Sequence, residues 1–248
     1  SDLDGAGQDF EARLAAQDDS PLALPEIDED DTITINFTSG TTSDPKGVML
    51  THRNTMLNAI ETLYYFKVDQ NSVYLHTLPD FHANGWGGVW SPFGVGATHI
   101  CLPAVRADAA YHAIEEYGVT HLSAAPTVLS MLTDPASAKK VTREIRVATA
   151  GSPPHARTIA DMNNLGFHVI QVYGLTETYG PFTVCTPQPG WADLDPDERA
   201  GLKSRQGVAM IHADTVRVVE RTSPGETHLI DVPADGVTMG EVVMTGNG

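Results

Sequence analysis

The sequence has few cysteines, few basic residues and no long apolar run. Its only cysteines, Cys101 and Cys185, lie far apart and lack the spacing of a metal site. Because such sparse cysteine use is typical of a reducing compartment, we expect a cytoplasmic protein. We find no signal peptide and no apolar segment that could span a bilayer, so we expect no stable membrane insertion.

Positive charge is scarce as well. Lysine and arginine together number 15 against 32 acidic residues, giving a formal net charge of −17. A nucleic-acid surface needs a basic face, and so does binding to an anionic membrane, so neither partner is expected. The 41% hydrophobic and 7% aromatic content is that of an ordinary globular protein, and 248 residues suit one large domain or two small ones.

Strand and helix patterns alternate along the middle of the chain. Residues 32–37 alternate, with Ile33, Ile35 and Phe37 on one face, which predicts a strand leading into a loop. A helix is predicted to begin near Arg53, with Thr51 as its N-cap. Further strands and helices follow in turn up to residue 174. This order predicts an α/β domain with a largely parallel sheet.

Composition divides the chain into three predicted regions. Residues 1–31 form an acidic lead-in, and residues 32–185 form the α/β core. Residues 186–248 comprise a long polar excursion and then two short strands, in "DTVRVVE" and "GEVVMTG", which predict the start of a small β-subdomain.

The loop after the first strand has the composition of a phosphate-binding device. Residues 38–47 contain five hydroxyl side chains, two glycines and one lysine. Glycines admit an anion to the backbone, hydroxyls and N–H groups donate to it, and lysine neutralises its charge. The Walker pattern fails, because Asp44 and Pro45 precede Lys46 and Gly47 follows it. A plain surface turn would need fewer residues and fewer hydroxyls.

Residues 38–48 resemble the [YF]-T-S-G-[ST]-T-G-x-P-K-G-V signature of the adenylate-forming superfamily, with Ser43 where glycine is usual. This superfamily includes acyl-CoA synthetases, nonribosomal adenylation domains and luciferases. Three further segments resemble family motifs in the family's order: "TLPDFHANGWGG" (77–88), "ATAGSPP" (148–154) and "QVYGLTET" (171–178). The chain is most similar to the central part of the large N-terminal domain of fatty-acyl-CoA synthetases. That resemblance implies the layered αβαβα sheets of this domain.

The resemblance also implies roles for individual residues. Lys46, Glu177 and His82 are implied to serve catalysis, and Thr38 and Glu177 to bind Mg²⁺. Phe81, His82 and Trp86 are implied to contact the acyl substrate. The implied contacts to ATP are Thr38, Ser39, Gly40, Thr41, Thr42, Lys46, Gly151, Ser152, Pro153, Gln171, Val172, Tyr173, Gly174 and Thr176.

Simpler interpretations exist for several of these residues. Glu177 on its own would be a surface glutamate at a strand end, and a lone histidine such as His82 is often structural. Trp86 resembles a tryptophan that gates the acyl tunnel in the family. For Trp90 and Phe93, packing in the core is the preferred interpretation.

The implied reaction is ATP-dependent activation of a carboxylic acid to an acyl-adenylate, followed by thioester formation with CoA. We expect an AMP-forming acid–thiol ligase that uses ATP, Mg²⁺ and CoA and acts on a medium- or long-chain fatty acid. Two alternatives stay open: an adenylation enzyme that loads a carrier-protein thiol, and a nucleotide-binding homologue or fragment without catalysis. Oligomerisation is left open.

The family's ribose-binding T-G-D motif and the catalytic lysine of its mobile C-terminal domain would follow "GEVVMTGNG". We therefore expect this chain to be part of a longer enzyme whose missing parts are needed for catalysis. The 248 residues alone are expected to be inactive.

Overall fold

The computed structural model describes residues 10–18, 20–39, 44–221, 225 and 228–246. Among them, eleven strands are numbered along the chain: β1 (Thr32–Thr38), β2 (Lys46–Thr51), β3 (Val73–His76), β4 (Thr98–Cys101), β5 (His121–Ala124), β6 (Ile145–Thr149), β7 (Phe167–Leu175), β8 (Gly180–Val184), β9 (Val208–Ala209), β10 (Ala213–Val219) and β11 (Glu241–Gly246). The α-helical segments are α1 (Phe10–Ala15), α2 (His52–Phe66), α3 (Ala83–Trp86), α4 (Trp90–Gly94), α5 (Ala107–Tyr117), α6 (Pro126–Leu132), α7 (Ala156–Leu165) and α8 (Pro196–Lys203).

Seven strands form the main sheet, in the order β4-β3-β5-β6-β7-β8-β9. The first five run parallel, whereas β8 pairs antiparallel with both β7 and β9. The predicted α/β class and the largely parallel sheet are therefore confirmed. The two antiparallel strands were not predicted. Because β3, β5, β6 and β7 are parallel, their carboxyl ends meet at one edge, where ligands bind in such sheets.

A single large cluster of apolar side chains joins the sheet to the helices beside it. Leu75, Leu122, Ile145 and Val147 of the strands are almost fully enclosed, together with Leu129 of α6. Tyr111 of α5 and Ile159 and Met162 of α7 complete the cluster. These strands are apolar on both faces, as parallel strands covered on both sides generally are. The cluster holds the strands rigidly, and the carboxyl edge is therefore fixed.

Helix α2 begins where the sequence predicts. Thr51 caps it, because its Oγ1 accepts a hydrogen bond from the Asn54 backbone N–H at 3.2 Å, and the Asn54 side chain bonds back to Thr51 N–H at 3.0 Å. This reciprocal arrangement satisfies two backbone donors at the helix start. The helix ends at Lys67, which has left-handed backbone angles.

The antiparallel hairpin β1–β2 presents its apolar face outward. Phe37 is 73% exposed and Ile35 is 55% exposed, whereas Asn36 and Leu50 on the opposite face are buried. The predicted strand is confirmed, and its polar face is the one that packs toward the protein. Alternation alone did not say which face would be covered, since that depends on partners distant in sequence.

The region after residue 185 contains more structure than the sequence predicted. Helix α8 lies within the polar excursion, and Asp195 caps it by accepting a hydrogen bond from the Asp197 N–H at 2.9 Å. The two predicted strands are confirmed as the antiparallel hairpin β10–β11. Across all described residues, no helix combines the length and apolarity needed to cross a membrane.

One of the predicted core aromatics is misplaced. Phe93 was predicted to pack in the core, and this is wrong: its side chain is 78% exposed at the end of α4. Trp90, one turn earlier, is half-buried and donates from Nε1 to the Tyr179 hydroxyl at 2.6 Å. The buried residues of this five-residue helix are Ser91 and Pro92, whereas Phe93 lies at its exposed end beside Gly94.

Because His121 is buried, we expect the free energy of unfolding to depend on pH. Its Nε2 lies 3.0 Å from the Phe66 carbonyl oxygen and its Nδ1 2.8 Å from the Thr120 Oγ1. Burial lowers the pKa of His121 in the folded state. The unfolded chain, with a histidine pKa of about 6.5, therefore binds the proton first as the pH falls. The contribution of neutral His121 to the free energy of unfolding is therefore fully present above about pH 6.5. It decreases at lower pH, by at most about 1.4 kcal/mol per pH unit.

Urea denaturation at several pH values between about 5 and 8 tests this expectation. We expect His121→Asn to flatten the pH dependence of the free energy of unfolding relative to the wild type. His112→Asn, at an exposed position on α5, is the matched control. Equal pH slopes in both variants would show that His121 is not the group responsible.

Candidate functional site

A cavity of about 500 Å³ lies at the carboxyl edge of the main sheet. The ends of β1 and β2 form one side of it, and residues that follow β6 and β7 form the other. Its walls consist of Thr38, Ser39, Lys46, His82, Ala83, Trp86, Ala150, Gly151, Gly174, Leu175, Thr176, Glu177, Gly180 and Pro181. All the sequence motifs that pointed to chemistry thus contribute to one space.

The phosphate-loop side of the cavity is formed by the open end of the β1–β2 hairpin. Thr38, the last residue of β1, is paired with Lys46, the first residue of β2. Both residues and Ser39 line the cavity, and Lys46 is exposed. Residues 40–43, which include the predicted contacts Gly40, Thr41 and Thr42 and the unusual Ser43, lie outside the described part of the chain. The cationic side chain is therefore placed where an anion in the cavity could be neutralised.

Glu177 lies on a tight turn between β7 and β8. Residues Thr176–Thr178 form one turn of 3₁₀ helix, closed by a hydrogen bond from the Tyr179 N–H to the Thr176 carbonyl at 3.0 Å. The Thr178 Oγ1 accepts from the Leu175 N–H at 2.9 Å and lies 2.9 Å from the Gly180 carbonyl oxygen. These bonds fix the turn from within, so that the exposed Glu177 carboxylate borders the cavity.

Tyr179 supports this turn from beneath. It is only 2% exposed, and its backbone is left-handed, with φ of 46°. Burial raises the pKa of its phenol, although the hydrogen bond from Trp90 opposes the rise. The ring therefore stays neutral and acts as a packing and hydrogen-bonding support rather than as an acid or base.

His82 and Trp86 enter the cavity from an unusual segment. Five consecutive residues, 83–87, have positive φ angles between 40° and 76°. His82 precedes them with extended backbone angles, and its carbonyl accepts from the Gly85 N–H at 2.9 Å. Trp86 packs with Leu50, Ala83 and Tyr179. Left-handed angles cost non-glycine residues free energy, so the surrounding contacts must maintain this segment.

Comparison with known proteins identifies the family. A sequence model of the family described as "AMP-binding enzyme" matches residues 2–248. The chain belongs to this family. "Probable acyl-activating enzyme 10" from Arabidopsis thaliana is 46% identical over 213 residues, which cover 86% of this chain and 38% of that protein. "Acetate--CoA ligase CCL3" from Humulus lupulus is 41% identical over 226 residues, covering 90% of this chain and 39% of that protein.

A solved structure agrees with this assignment. The N-terminal domain of FACL13 from Mycobacterium tuberculosis superimposes with a TM-score of 0.73 at 25% sequence identity, covering 96% of this chain and 55% of that chain. The chain thus has the fold of the N-terminal domain of adenylate-forming enzymes, as the motifs predicted. It spans about two-fifths of the length of the two curated relatives.

The nucleotide contacts predicted for an AMP-binding enzyme are only partly gathered in the cavity. Gly151, Gly174 and Thr176 line it. Ser152 and Pro153 are exposed beside Gly151, and Tyr173 is half-buried outside the wall. Gln171 and Val172 are buried within β7, at 2% and 0% exposure, because the strand is paired on both edges and covered on both faces. Their side chains are therefore not available to a ligand in the cavity.

Only some of the residues predicted to contact the acyl substrate line the cavity. His82 and Trp86 line the cavity. Phe81 does not: its ring is 74% exposed and lies 4.8 Å from the His82 ring, centroid to centroid. Phe81 follows a turn and precedes the left-handed segment, so its side chain leaves the wall that His82 joins.

The oxygen ligands that the family would need for Mg²⁺ are present in the cavity. Thr38 supplies a hydroxyl and Glu177 a carboxylate, and both border the same space. Mg²⁺ takes one or two protein oxygens beside phosphate and water, so this sparse donor set fits the ion. Within the described ranges, no group of three or more His, Cys, Asp and Glu side chains could hold a metal. The site therefore suits a metal that arrives with a phosphate ligand.

The sequence did not single out five wall residues: Ala83, Ala150, Leu175, Gly180 and Pro181. Ala150 directly precedes Gly151, and the Gly180–Pro181 pair follows the "YGLTET" motif after one residue. A glycine–proline pair is a turn signal, which could have indicated that the wall continues beyond the motif.

Proposed function

We propose that this chain is the nucleotide- and acid-binding part of an enzyme that activates a carboxylic acid with ATP and transfers the acyl group to the thiol of CoA. The observation that supports this most directly is the convergence of Thr38, Lys46, His82, Gly174 and Glu177 on one cavity. These residues come from three separate motifs that are distant from one another in the sequence. A chain that only folded like the family would have no reason to keep a cation, a hydroxyl and a carboxylate together there.

The first half-reaction is attack by a carboxylate oxygen of the acid on the α-phosphorus of ATP. A bond from oxygen to phosphorus forms, the bond to pyrophosphate breaks, and an acyl-adenylate results. The acid is already ionised near pH 7, so alignment and charge stabilisation matter more than a general base. In this proposal Lys46 neutralises the outer phosphates, and His82 positions the acid.

Magnesium would be held by Glu177 and Thr38 together with the phosphate oxygens. When bound, it would offset the repulsion between the two anions and polarise the phosphoryl group. Glu177 is exposed on a turn that is hydrogen-bonded at both ends, so its carboxylate needs little reorganisation to serve as a ligand.

Coenzyme A is the acceptor that we favour in the second half-reaction, in which a thiol attacks the acyl carbon and AMP leaves. The relative at 41% identity carries CoA ligase in its name, which supports this choice over a carrier-protein thiol. The relative's name is thus the observation that favours CoA as the acceptor.

A short carboxylic acid is the first candidate for the substrate. Trp86 is packed against the cluster of Leu50, Ala83 and Tyr179 and lines the cavity. We infer that its indole limits the length of acyl chain that the cavity accepts. The named substrate of the relative, acetate, agrees with a restricted site. The medium- or long-chain fatty acid predicted from the sequence is the second candidate, and it requires Trp86 to move.

The proposal is tested by acid-dependent exchange between pyrophosphate and ATP in the intact enzyme, with a panel of carboxylic acids from acetate to palmitate. We expect exchange with at least one acid, and AMP and acyl-CoA formation when CoA is added. Exchange without any transfer to CoA would support the carrier-protein alternative. Nucleotide binding without exchange for any acid would support a non-catalytic homologue and overturn the proposal.

Lys46→Ala is expected to weaken ATP binding about tenfold or more and AMP binding much less. A contact to the outer phosphates is present in ATP and absent in AMP, and one charge-assisted hydrogen bond is worth about 1.5–3 kcal/mol. Isothermal calorimetry with each nucleotide and Mg²⁺ measures the difference. Lys140→Ala, which removes an exposed lysine elsewhere, is the control. Equal loss of affinity for both nucleotides would show that Lys46 does not contact the outer phosphates.

A further inference from the structure

Asn58 of α2 contacts the two chain segments that carry His82 and Glu177. This α2 residue is 7% exposed, and its Nδ2 donates to the Tyr179 carbonyl at 2.7 Å. Tyr179 closes the turn that holds Glu177. A buried carbonyl without a donor costs free energy, so this bond fixes the base of the turn to helix α2.

Two glycines show how closely Asn58 fits between these two segments. A Cβ on Gly87, at the end of the His82–Trp86 segment, would lie 1.8 Å from the Asn58 Oδ1. A Cβ on Gly180, at the end of the Glu177 turn, would lie 2.7 Å from its Nδ2. Both glycines have positive φ, of 76° and 103°. The amide therefore fills the gap between two backbone segments and leaves no room for either to shift toward the other.

A second asparagine connects the same segment to the phosphate-loop strand. The Asn84 Oδ1 accepts from the Thr34 Oγ1 at 2.9 Å and from the Asn36 Nδ2 at 3.1 Å. Thr34 and Asn36 belong to β1, which ends at Thr38 in the cavity wall. Asn84 has φ of 49°, a left-handed conformation that asparagine tolerates better than most residues.

We propose that Asn58 and Asn84 are positioning residues that fix the relative positions of three chain segments: the His82–Trp86 segment, strand β1 before the phosphate loop, and the Glu177 turn. Asn84 hydrogen-bonds the His82–Trp86 segment to the strand of the phosphate loop, whereas Asn58 hydrogen-bonds to the Glu177 turn and packs closely against Gly87 at the end of the same segment. We call the pair the asparagine bridge. Acid, phosphate and metal ligands come from these three segments, so their relative position sets the attack geometry. This inference rests on the proposed function, since it assigns roles within that reaction.

Matched substitutions separate the bridge from general packing. Asn84→Asp keeps both the acceptor oxygen and tolerance of the left-handed backbone, whereas Asn84→Gly keeps only the backbone tolerance. Asn58→Leu has nearly the size of asparagine but lacks the donor to the Tyr179 carbonyl. Ile159→Val, in the core cluster away from the cavity, is the control for a loss of stability alone.

Steady-state pyrophosphate exchange in the intact enzyme is the readout, together with calorimetric affinity for AMP and the thermal midpoint. We expect Asn58→Leu to lower the kcat of exchange about tenfold to a hundredfold, because a displacement of about 1 Å is that costly. We expect Asn84→Gly to raise the KM for the acid and Asn84→Asp to restore it. AMP affinity should change less in the Asn84 variants than in Asn58→Leu, because the nucleotide contact Thr176 lies on the turn that Asn58 supports.

The possible outcomes are distinct. An inactive wild-type enzyme refutes the proposed function and not merely the bridge. An active wild type with unchanged kinetics in Asn58→Leu and Asn84→Gly overturns the bridge and leaves the function intact. Kinetic losses that match those of Ile159→Val at an equal drop in thermal midpoint would also overturn it, because they would reflect stability alone. Failure of Asn84→Asp to restore the KM would contradict the assigned role of the Asn84 oxygen.

Discussion

Replacing Glu177 with glutamine is expected to lower the rate of acyl-adenylate formation by about 10²–10³-fold. Glutamine has the same size and keeps one oxygen, so the packing of the turn is preserved. It lacks the charge that binds Mg²⁺ near the phosphates, and the reaction joins two anions. The apparent Mg²⁺ concentration for half-maximal rate should rise as well. Pyrophosphate exchange as a function of Mg²⁺ measures both effects in the intact enzyme.

Glu198→Gln, on the exposed surface of α8, provides the matched control for loss of one negative charge from an acidic protein. Its rate and Mg²⁺ dependence should equal those of the wild type. The thermal midpoint of Glu177→Gln should also be close to that of the wild type, because the carboxylate is exposed. If the Glu177→Gln enzyme had the Mg²⁺ dependence of the wild type, Glu177 would not be a ligand of the metal.

Part of the cavity wall could be predicted because its information is local. Lys46 and Glu177 stand in short motifs, and each motif follows or precedes a strand with a clear pattern. Parallel strands bring the ends of β6 and β7 to one edge, so the alternation of strands and helices already implied the proximity of Gly151 and Glu177. Lys46 belongs instead to the separate antiparallel hairpin β1–β2, whose position the alternation did not give. Thr51 is a similar case, since a cap depends on residues three positions apart.

The supporting residues could not be predicted because their contacts join distant parts of the chain. Asn58 bonds to a carbonyl 121 residues away, and Asn84 bonds to residues 48 and 50 positions earlier. Nothing around Asn58 in the sequence distinguishes a buried bridge from an exposed helix residue. Pairing of β8 with β7 depends likewise on the return of the chain after Tyr179, and no periodicity encodes that return.

Burial of particular side chains was the least predictable property. Phe93 and Phe37 are large and apolar, yet both are mostly exposed. Hydrophobicity favours burial only where the fold provides a facing surface, and much of any protein surface is apolar. Gln171 shows the converse: its amide is enclosed in β7, where the Nε2 donates to the Val172 carbonyl at 3.1 Å.

Trp86 has the greatest influence on the size of the proposed acyl site. Trp86 borders the cavity and also packs against the second core cluster, which includes Phe66, Ala148, Ile170 and Val172. The backbone beside it is confined, since a Cβ on Gly88 would lie 2.6 Å from the Tyr74 hydroxyl. The side chain thus has contacts on several sides and a backbone with little freedom. These constraints favour a fixed wall over a swinging gate.

Trp86→Ala is therefore expected to extend the acyl site and shift the enzyme toward longer acids. Each methylene that enters the vacated space contributes about 0.8 kcal/mol, so three of them would raise kcat/KM for a longer acid relative to acetate by roughly fiftyfold. Trp86→Phe should give an intermediate shift and also serves if the alanine variant is unstable. Trp191→Ala, at a half-buried position outside the cavity, is the control and should keep the wild-type profile.

ATP affinity should stay close to the wild-type value in both Trp86 variants, because the indole lies on the acid side of His82 in the proposed arrangement. Exchange rates across straight-chain acids of increasing length provide the profile. A wild-type enzyme that already prefers long acids, and loses that preference in Trp86→Ala, would establish the tryptophan as a gate rather than a wall. A profile that no Trp86 substitution alters would place the acyl chain elsewhere, and the cavity beside His82 would then hold only the nucleotide and the carboxylate.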